Sequence, residues 1–336
     1  MKLAGLLTPL NPPLSGESTP PLKWVKQAIR VADARTRGGR EGLKGASKSF
    51  SLNKENTMNA LILDGIITAL AEKRAIPYLG PGMLSLVVEK TVPATAVELA
   101  DRLAAKTTLP FKIRKNLTAA AQYIENFKHR KTLVAMMNEI FAKKTEPAPL
   151  HRHLAELQLP LIVDMWYDGT MAAALSGKEG WGLLQGVSRA EHLDQWVKYY
   201  LPDGSTSDAA QAEKWRTVLY QPIGSASPAS NYIVSDSDYV EVLTEIDIQS
   251  PIPARVQALR KDRGFLFLGC RFDNQLTRSY ARQIMKRAGD GPHWAVLPGE
   301  LAKNEIRFLE EQNITRLDMD LNVFFDAVTE TLPAAA

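Results

Sequence analysis

Apolar residues along the chain follow two patterns, which alternate from about residue 59 onward. Short runs without a polar break predict buried strands, because a strand covered on both faces carries apolar side chains on both. The clearest run is 264–269, in which Phe265, Leu266, Phe267 and Leu268 follow one another. The predicted strands are 75–79, 161–165, 217–220, 232–234, 264–269, 294–297 and 314–317.

Between these runs, apolar residues recur at helical spacing, as Ile62, Ile66 and Leu70 do in the first helix. The predicted helices are 59–73, 95–104, 115–143 with a break near His129, one that begins at 149, 191–200, 239–243 and 322–331. Strands that alternate with helices predict an α/β fold with a Rossmann-like, mostly parallel sheet. The segments 95–157 and 171–216 are predicted as helical insertions that form a second layer.

Residues before Met58 differ in composition from the rest of the chain. Prolines and glycines recur there, so little could offset the entropy lost on ordering. Two interpretations are open: the segment 1–57 is disordered, or it is not translated and the protein starts at Met58. The second follows from Lys54-Glu55, which can be encoded as a ribosome-binding sequence a short distance before Met58. A single folded domain is predicted over 58–332.

Composition narrows the class of protein. The chain is 45% apolar and 23% charged, which is typical of globular proteins, and no apolar run approaches the length of a membrane span. A single cysteine excludes an internal disulfide and a thiolate metal cluster, so we expect a cytoplasmic protein without a metal. The net charge of +4 and the lack of a basic, aromatic-rich patch argue against nucleic-acid binding.

Three short stretches carry the candidate chemistry. Residues 76–82 predict a buried strand that runs into the turn Gly80-Pro81-Gly82. A Gly-x-Gly turn lets a backbone approach a phosphate closely, and the following helix can point its N–H groups at it. The stretches 164–168 and 222–225 each follow a predicted strand and are interpreted as two further walls of the same pocket. The sequence therefore predicts a nucleotide site.

Several motifs occur in a characteristic order from about residue 75 to 328. They are Tyr78-Leu79-Gly80-Pro81-Gly82, Pro149-Leu150-His151, Tyr167-Asp168, Gly224-Ser225, Ser235-Asp236-Ser237-Asp238-Tyr239 and Phe267-Leu268-Gly269-Cys270-Arg271-Phe272-Asp273. Together they resemble the bacterial sirtuin-like (silent-information-regulator-like) domains of NAD-consuming defence proteins.

The resemblance implies that NAD or ADP-ribose binds across the carboxyl ends of the strands. Gly80 and Gly82 would then border the diphosphate, Asp168 would face the nicotinamide amide, and Gly269 with Cys270 would lie near the adenosine ribose. The implied binding residues are Gly80, Pro81, Gly82, Met83, Trp166, Tyr167, Asp168, Ile223, Gly224, Gly269, Cys270 and Arg271.

The chain departs from the family at its reactive positions. Trp166 stands where the family has a catalytic asparagine, and Ile223 where it has the histidine that acts as the general base. Isoleucine cannot accept a proton, and loss of a positioned base typically costs about 10²–10⁴-fold in rate. Pro81 also removes one backbone donor from the glycine loop.

Three functions remain open. The first is an NAD-binding or ADP-ribose-binding protein that has lost catalysis and acts as a nucleotide sensor or regulatory partner. The second is a divergent NAD glycohydrolase in which Asp168 or Asp164 supplies the base. The third is a structural protein whose pocket is filled by Trp166 and Ile223. A homo-oligomer or a protein partner is compatible with each of the three.

Simpler interpretations stand beside these roles. Trp166 is expected to fill core space, and Asp168 to cap the helix that follows it. Cys270 is expected to be a buried small residue and Arg271 a surface side chain. His151 is expected to be packed in the interior, and His293 to lie at the surface.

Overall fold

A sheet of nine strands forms the centre of the fold in this computed structural model. Its order is β11-β10-β9-β1-β2-β6-β3-β4-β5, and two short strands pair separately as β7-β8. The strands are β1 (Ala75–Leu79), β2 (Leu161–Asp164), β3 (Trp181–Gly186), β4 (Val197–Tyr200), β5 (Thr206–Ser207), β6 (Thr217–Gln221), β7 (Gly224–Ser225), β8 (Asn231–Tyr232), β9 (Gly264–Leu268), β10 (His293–Val296) and β11 (Ile314–Leu317). The ladder is parallel from β11 to β3 and antiparallel from β3 to β5.

The structure describes residues 44–191, 195–245, 252–289 and 291–332, with side chains from residue 57. Its helices are α1 (Lys44–Ala71), α2 (Ala96–Lys106), α3 (Leu117–Lys128), α4 (Arg130–Ile140), α5 (Pro149–Glu156), α6 (Thr170–Leu175), α7 (Ala209–Ala212), α8 (Asp236–Glu245), α9 (Ala254–Arg260), α10 (Gln275–Met285), α11 (Lys303–Glu311) and α12 (Leu321–Thr331). Short 3-10 helices lie at Pro81–Leu86 and Phe111–Ile113.

Both faces of the sheet are covered by apolar cores. The alternation of side chains along β9 separates them, since Phe265 and Phe267 belong to one core and Leu266 and Leu268 to the other. The first core contains apolar residues of α2, α3, α4, α10 and α11, and the second contains those of α1, α5, α6 and α12. The predicted α/β class with a mostly parallel sheet is therefore confirmed.

The prediction of a helical segment at 171–216 is wrong. This segment contains β3, β4 and β5 besides two short helices, and the predicted helix at 191–200 is in part the strand β4. Tertiary contacts explain the difference. In β3, the backbone of Gly182 lies against the indole of Trp215, so that a Cβ there would come within 2.3 Å of the ring. β4 pairs antiparallel with β3, with Tyr200 opposite Leu183.

The segment 95–157 is helical as predicted, from α2 to α5, and the predicted break at His129 is confirmed. His129 has a φ of 67°, a conformation that cannot continue a right-handed helix. The predicted helix at 59–73 is the second half of α1, which begins at Lys44.

The chain divides into two compact units, residues 1–60 and 61–336. Most of the segment 1–57, predicted to be disordered or untranslated, lies outside the described residues, and its described part belongs to α1. Within the described ranges, no helix has the length and apolar character needed to cross a membrane.

Candidate functional site

The three stretches singled out in the sequence meet at one edge of the sheet. They follow β1, β2 and β6, and the Gly269–Arg271 stretch follows β9; in the sheet these strands are neighbours in the order β9-β1-β2-β6. All four are parallel, so their carboxyl ends lie at the same edge. The chain continues from β1 to β2 on one side, whereas β9 lies on the other. Open α/β sheets bind ligands in the crevice at such a switch point.

The loops after β1 and β9 cross in close contact, and glycines make this contact feasible. A Cβ on Gly80 would lie 2.4 Å from the carbonyl oxygen of Gly269, and one on Gly82 would lie 2.7 Å from the same atom. Gly269 has a φ of 65°, and a Cβ there would lie 2.3 Å from the amide nitrogen of Met83. We call Gly80–Met83 together with Gly269 the glycine crossing.

Backbone donors of the glycine crossing already have partners. The Gly80 N–H donates to the Leu268 carbonyl at 2.8 Å, and the Gly82 N–H donates to the Gly269 carbonyl at 2.9 Å. The Met83 N–H donates to the Gly80 carbonyl at 3.1 Å, while Pro81 has no N–H to offer. These glycines therefore serve the contact between two loops, and their amides are not open to a diphosphate.

Trp166 and Ile223, which the sequence resemblance assigns to the family's reactive positions, both belong to the core. Trp166 is 5% exposed, and its Nε1–H donates to the Pro93 carbonyl at 2.8 Å. Its indole also lies edge-on to the Phe141 ring, with centroids 6.4 Å apart. Ile223 is 2% exposed, and its carbonyl accepts the Ile233 N–H at 2.9 Å. Neither side chain can accept a proton from a ligand.

The loop after β2 and the turn after β6 are bonded to each other. Ser225 Oγ donates to the Tyr167 carbonyl at 3.2 Å, and the Ala226 N–H donates to the same oxygen at 3.1 Å. Tyr167 is fully buried, and its hydroxyl donates to the Ile233 carbonyl at 2.8 Å. Gly224 and Ser225 form β7. The second and third predicted walls therefore adjoin, as the sequence indicated.

Asp164, the last residue of β2, is 5% exposed and has only neutral donors. Its Oδ1 accepts the Trp166 N–H at 3.3 Å, and its Oδ2 accepts from Gln221 Nε2 at 3.1 Å. Burial and, secondly, the charge of Asp168 raise the pKa of Asp164 from its ordinary 3.8 to about 8. Asp164 is therefore mainly protonated at neutral pH.

Gln221, the last residue of β6, is fully buried. Its Nε2 contacts Asp164, but its Oε1 has no hydrogen-bond partner. Exchanging the two ends of the amide would leave the nitrogen unpaired instead, because only one end faces the carboxyl. A buried polar atom without a partner typically costs about 1–3 kcal/mol.

Asp168 is half-buried and lies at the start of α6. Its Oδ1 accepts the Thr170 N–H at 2.8 Å and also the Thr170 hydroxyl. The expected capping role is met only in part, because the N-cap residue of α6 is Gly169 and the helix has no side-chain cap at that position. Gly169, with a φ of 71°, makes the entry into α6. Burial raises the pKa of Asp168, and the bonds from Thr170 oppose that shift. Within the described ranges, neither aspartate forms an ion pair with a basic side chain.

The polar groups of Cys270 and Arg271, which follow β9, already have partners within the protein. Cys270 is buried, its thiol donates to the Tyr78 carbonyl at 3.4 Å, and burial raises its pKa, so it is not a nucleophile. The Arg271 guanidinium forms a bidentate pair with Glu305, with Nε–Oε1 at 2.9 Å and Nη2–Oε2 at 2.6 Å. Arg271 is exposed, as its surface interpretation expects, but its charge is paired.

Glu305 is the anchor of this region and was not predicted from the sequence. It is fully buried on α11 and also accepts the N–H groups of Phe272 at 2.9 Å and Ala302 at 3.0 Å. Burial alone would raise its pKa, but the bonds from Arg271 and the two amides outweigh it, so the pKa is lowered. Only its position three residues after Ala302, at the start of a helix, signalled a capping carboxylate.

Among the histidines, His151 is buried as expected, with its pKa lowered to about 4 by burial. The expectation of a surface His293 is wrong. It is 7% exposed in β10, and its Nδ1 accepts the Phe265 N–H at 3.0 Å. In the part of the chain that the structure describes, no group of three or more His, Cys, Asp or Glu side chains is placed to hold a metal.

A comparison against protein families covers part of this region. Residues 160–317 match the model of the SIR2-like domain. This range runs from β2 to β11 and includes Asp164, Asp168, Gln221 and the loop after β9. SIR2-like domains typically bind NAD. No curated protein matches the chain significantly.

The residues at the strand ends fit a nicotinamide nucleotide in one half of the site better than in the other. After β2 and β6, the half-buried Asp168 and the unpaired amide end of Gln221 offer polar atoms that a ligand could use. After β1 and β9, the amides of Gly80, Gly82 and Met83 are already engaged, so a diphosphate would need other donors.

Proposed function

We propose that this protein binds NAD or an ADP-ribose relative without turning it over and acts as a nucleotide sensor or regulatory partner. The observation that carries this proposal is the position of Ile223 and Trp166. Both are buried in the core, and the sequence resemblance assigns them to the positions of the family's base and asparagine. The strand ends beside them keep the polar side chains Asp164, Asp168 and Gln221.

A divergent NAD glycohydrolase is the second candidate, and Asp168 favours it. A general base must be ionised and within reach of a water molecule. Asp168 is half-buried; burial raises its pKa, but the hydrogen bonds from Thr170 oppose that shift and favour the ionised form. Asp164 is a weaker candidate, because its raised pKa leaves it mainly protonated at neutral pH.

A structural role without a ligand is the third candidate. It is supported by the closed glycine crossing and by the burial of Trp166 and Ile223. In that case, the unpaired amide end of Gln221 would be a cost that no ligand relieves.

One experiment separates the three candidates. The protein is titrated with NAD, ADP-ribose and nicotinamide while its thermal unfolding is followed, and the NAD samples are then assayed for free nicotinamide. A ligand at a hundred times its dissociation constant adds about 2.7 kcal/mol to the stability. Stabilisation without nicotinamide release supports the sensor, and stabilisation with release supports the hydrolase. The absence of any shift would leave only the structural role.

Two matched variants assign the result to the site. Asp168→Asn keeps an oxygen for the Thr170 N–H and removes the charge, so we expect NAD binding to weaken roughly tenfold. Asp208→Asn is the control, because Asp208 also accepts a backbone N–H at the start of a helix, with its Oδ1 2.8 Å from the Gln211 nitrogen, but is exposed. Equal effects of both variants on NAD binding would contradict a site at Asp168.

A further inference from the structure

We propose that the outer edge of β11 and the helix α11 beside it form an interface with a second copy of this chain. In the resulting twofold dimer, β11 pairs antiparallel with the β11 of the second copy, and the two α11 helices lie side by side in opposite directions. The dimer would form whether or not a nucleotide binds. An open strand edge, a groove beside that edge and the charges on α11 support it.

The strand edge is open because β11 is the end strand of the nine-stranded sheet, with β10 as its neighbour. The Leu317 carbonyl accepts the Leu297 N–H at 3.1 Å, so the backbone groups of Leu317 and Thr315 face β10. Those of Ile314 and Arg316 therefore point away from the sheet. Within the described ranges, these outward groups have no hydrogen-bond partner. An edge of this kind can accept a further strand.

A groove of about 530 Å³ lies beside this edge, between α11 and β11. Its lining includes the apolar side chains of Leu301, Ile306, Leu309 and Ile314. Ile306 is 46% exposed and is the apolar side chain of α11 most open to water. Two copies related by a twofold axis beside Ile306 would cover both isoleucines and both grooves, and apolar surface removed from water stabilises an interface.

The charges on α11 form an unusual pattern. Lys303, Ile306, Arg307 and Glu310 are spaced three and four residues apart and lie on one exposed face. Lys303 is in the first turn and Glu310 in the last, and the helix dipole disfavours both positions. Arg307 is paired with Glu311 at 2.7 Å, whereas within the described ranges neither Lys303 nor Glu310 forms an ion pair. These two are about 10 Å apart along the helix, too far to pair with each other.

An antiparallel copy of α11 satisfies both charges. With the twofold axis beside Ile306, Lys303 of one copy faces Glu310 of the other, and symmetry forms the reverse pair as well. Each charge also comes beside the end of the second helix whose dipole attracts it. A parallel copy would bring like charges together. This self-complementarity favours a second copy of the chain over an unrelated strand.

Charge reversal tests the interface, because neutral replacement in an exposed ion pair changes the affinity little. By analytical ultracentrifugation, we expect the full chain to sediment with twice the mass of one copy. Lys303→Glu and Glu310→Lys should each raise the dissociation constant at least about tenfold, since each places like charges opposite each other. Glu330→Lys, the same change at an exposed position of α12, is the matched control and should dimerise like the wild type.

Two combinations of these variants should recover the dimer. An equal mixture of the Lys303→Glu and Glu310→Lys chains should form mixed dimers, in which every contact again joins opposite charges. The chain with both reversals should dimerise with itself. Its charges also suit the helix dipole, so both reversals together should not impair the folding of α11.

Hydrogen exchange tests the strand pairing. The outward amides of Ile314 and Arg316 should exchange more slowly in the wild-type dimer than in either single reversal. Equal exchange would overturn the pairing of β11. A wild type that stays monomeric at every concentration would overturn the whole inference, and this result does not depend on how any variant folds. A dimer that neither reversal weakens, or a doubly reversed chain that stays monomeric, would overturn it as well.

Discussion

The strand-end region has two halves, which differ in whether their polar groups are paired within the protein. In the glycine crossing and the Arg271–Glu305 pair, backbone groups approach closely and each named donor has a partner. At the ends of β2 and β6, two carboxyls lack a positive partner in the described ranges, and one amide end is unpaired. Close packing with satisfied hydrogen bonds stabilises a fold, whereas unpaired polar groups destabilise it and are retained mainly where a ligand uses them.

This comparison predicts that substitutions in the first half change stability and that substitutions in the second half change ligand binding and pH dependence. The sharpest case in the first half is Gly269→Ala. The new Cβ would lie 2.3 Å from the Met83 nitrogen, with φ at 65°. We expect a loss of about 1–2 kcal/mol from the left-handed conformation and a further 1–3 kcal/mol from the contact, measured by urea unfolding.

Gly177→Ala isolates the conformational part of that loss. Gly177 has a φ of 82°, and no atom lies within 4 Å of the place that a Cβ would take, so only the cost of about 1–2 kcal/mol should appear. If both variants lose the same stability, the two loops can move apart, and the glycine crossing is not a rigid contact.

Glu305→Ala should also destabilise the protein strongly. It removes the acceptor of the Arg271 guanidinium and of two amides, including the buried Phe272 N–H. Leaving such groups unpaired should cost on the order of 3 kcal/mol in the free energy of unfolding. Glu310→Ala, at an exposed position of α11, should stay within about 0.5 kcal/mol of the wild type. A small loss for Glu305→Ala would mean that water replaces the carboxylate.

Unlike the preceding substitutions, Asp164→Asn should stabilise the protein, and it should do so at high pH. The folded wild type binds a proton at Asp164 between its ordinary pKa of 3.8 and about 8, so its stability falls as pH rises through this window. The variant lacks this loss. The difference between them should grow by up to about 1.4 kcal/mol per pH unit and level off above about 8. A difference that does not vary with pH would show that Asp164 is ionised in the folded protein.

The strands of the sheet show how far sequence reasoning reaches. The strands β1, β2, β6, β9, β10 and β11 were predicted from short, mainly apolar runs, of which β9 is the clearest and β11, with Thr315 and Arg316, the weakest. β3 and β4 were missed, because their identity depends on distant partners: the indole of Trp215 over Gly182, and the antiparallel pairing with β3. Local periodicity cannot predict either of these long-range contacts.

The candidate site likewise has features that the sequence predicts and features that it does not. Its location at the carboxyl ends of β1, β2 and β6 follows from strand order and from the motifs. The occupied state of the loop amides and the pairing of Arg271 do not, because the partners, Gly269 and Glu305, lie far away in the sequence. Gln221 stands directly before Pro222 in a stretch that had been singled out, yet only burial distinguishes it from any polar strand-end residue.

Trp166→Phe should have a modest effect on stability, and it tests the boundary between the two halves. Phenylalanine keeps an aromatic ring near Phe141 and loses the Nε1–H bond to the Pro93 carbonyl, so about 1–2 kcal/mol of stability should be lost. If Trp166 is purely a core residue, the stabilisation by NAD should be unchanged when measured against the variant's own unfolding temperature. A weakened response to NAD would place the indole in contact with the ligand, and the second half would then extend from Asp164 to Trp166.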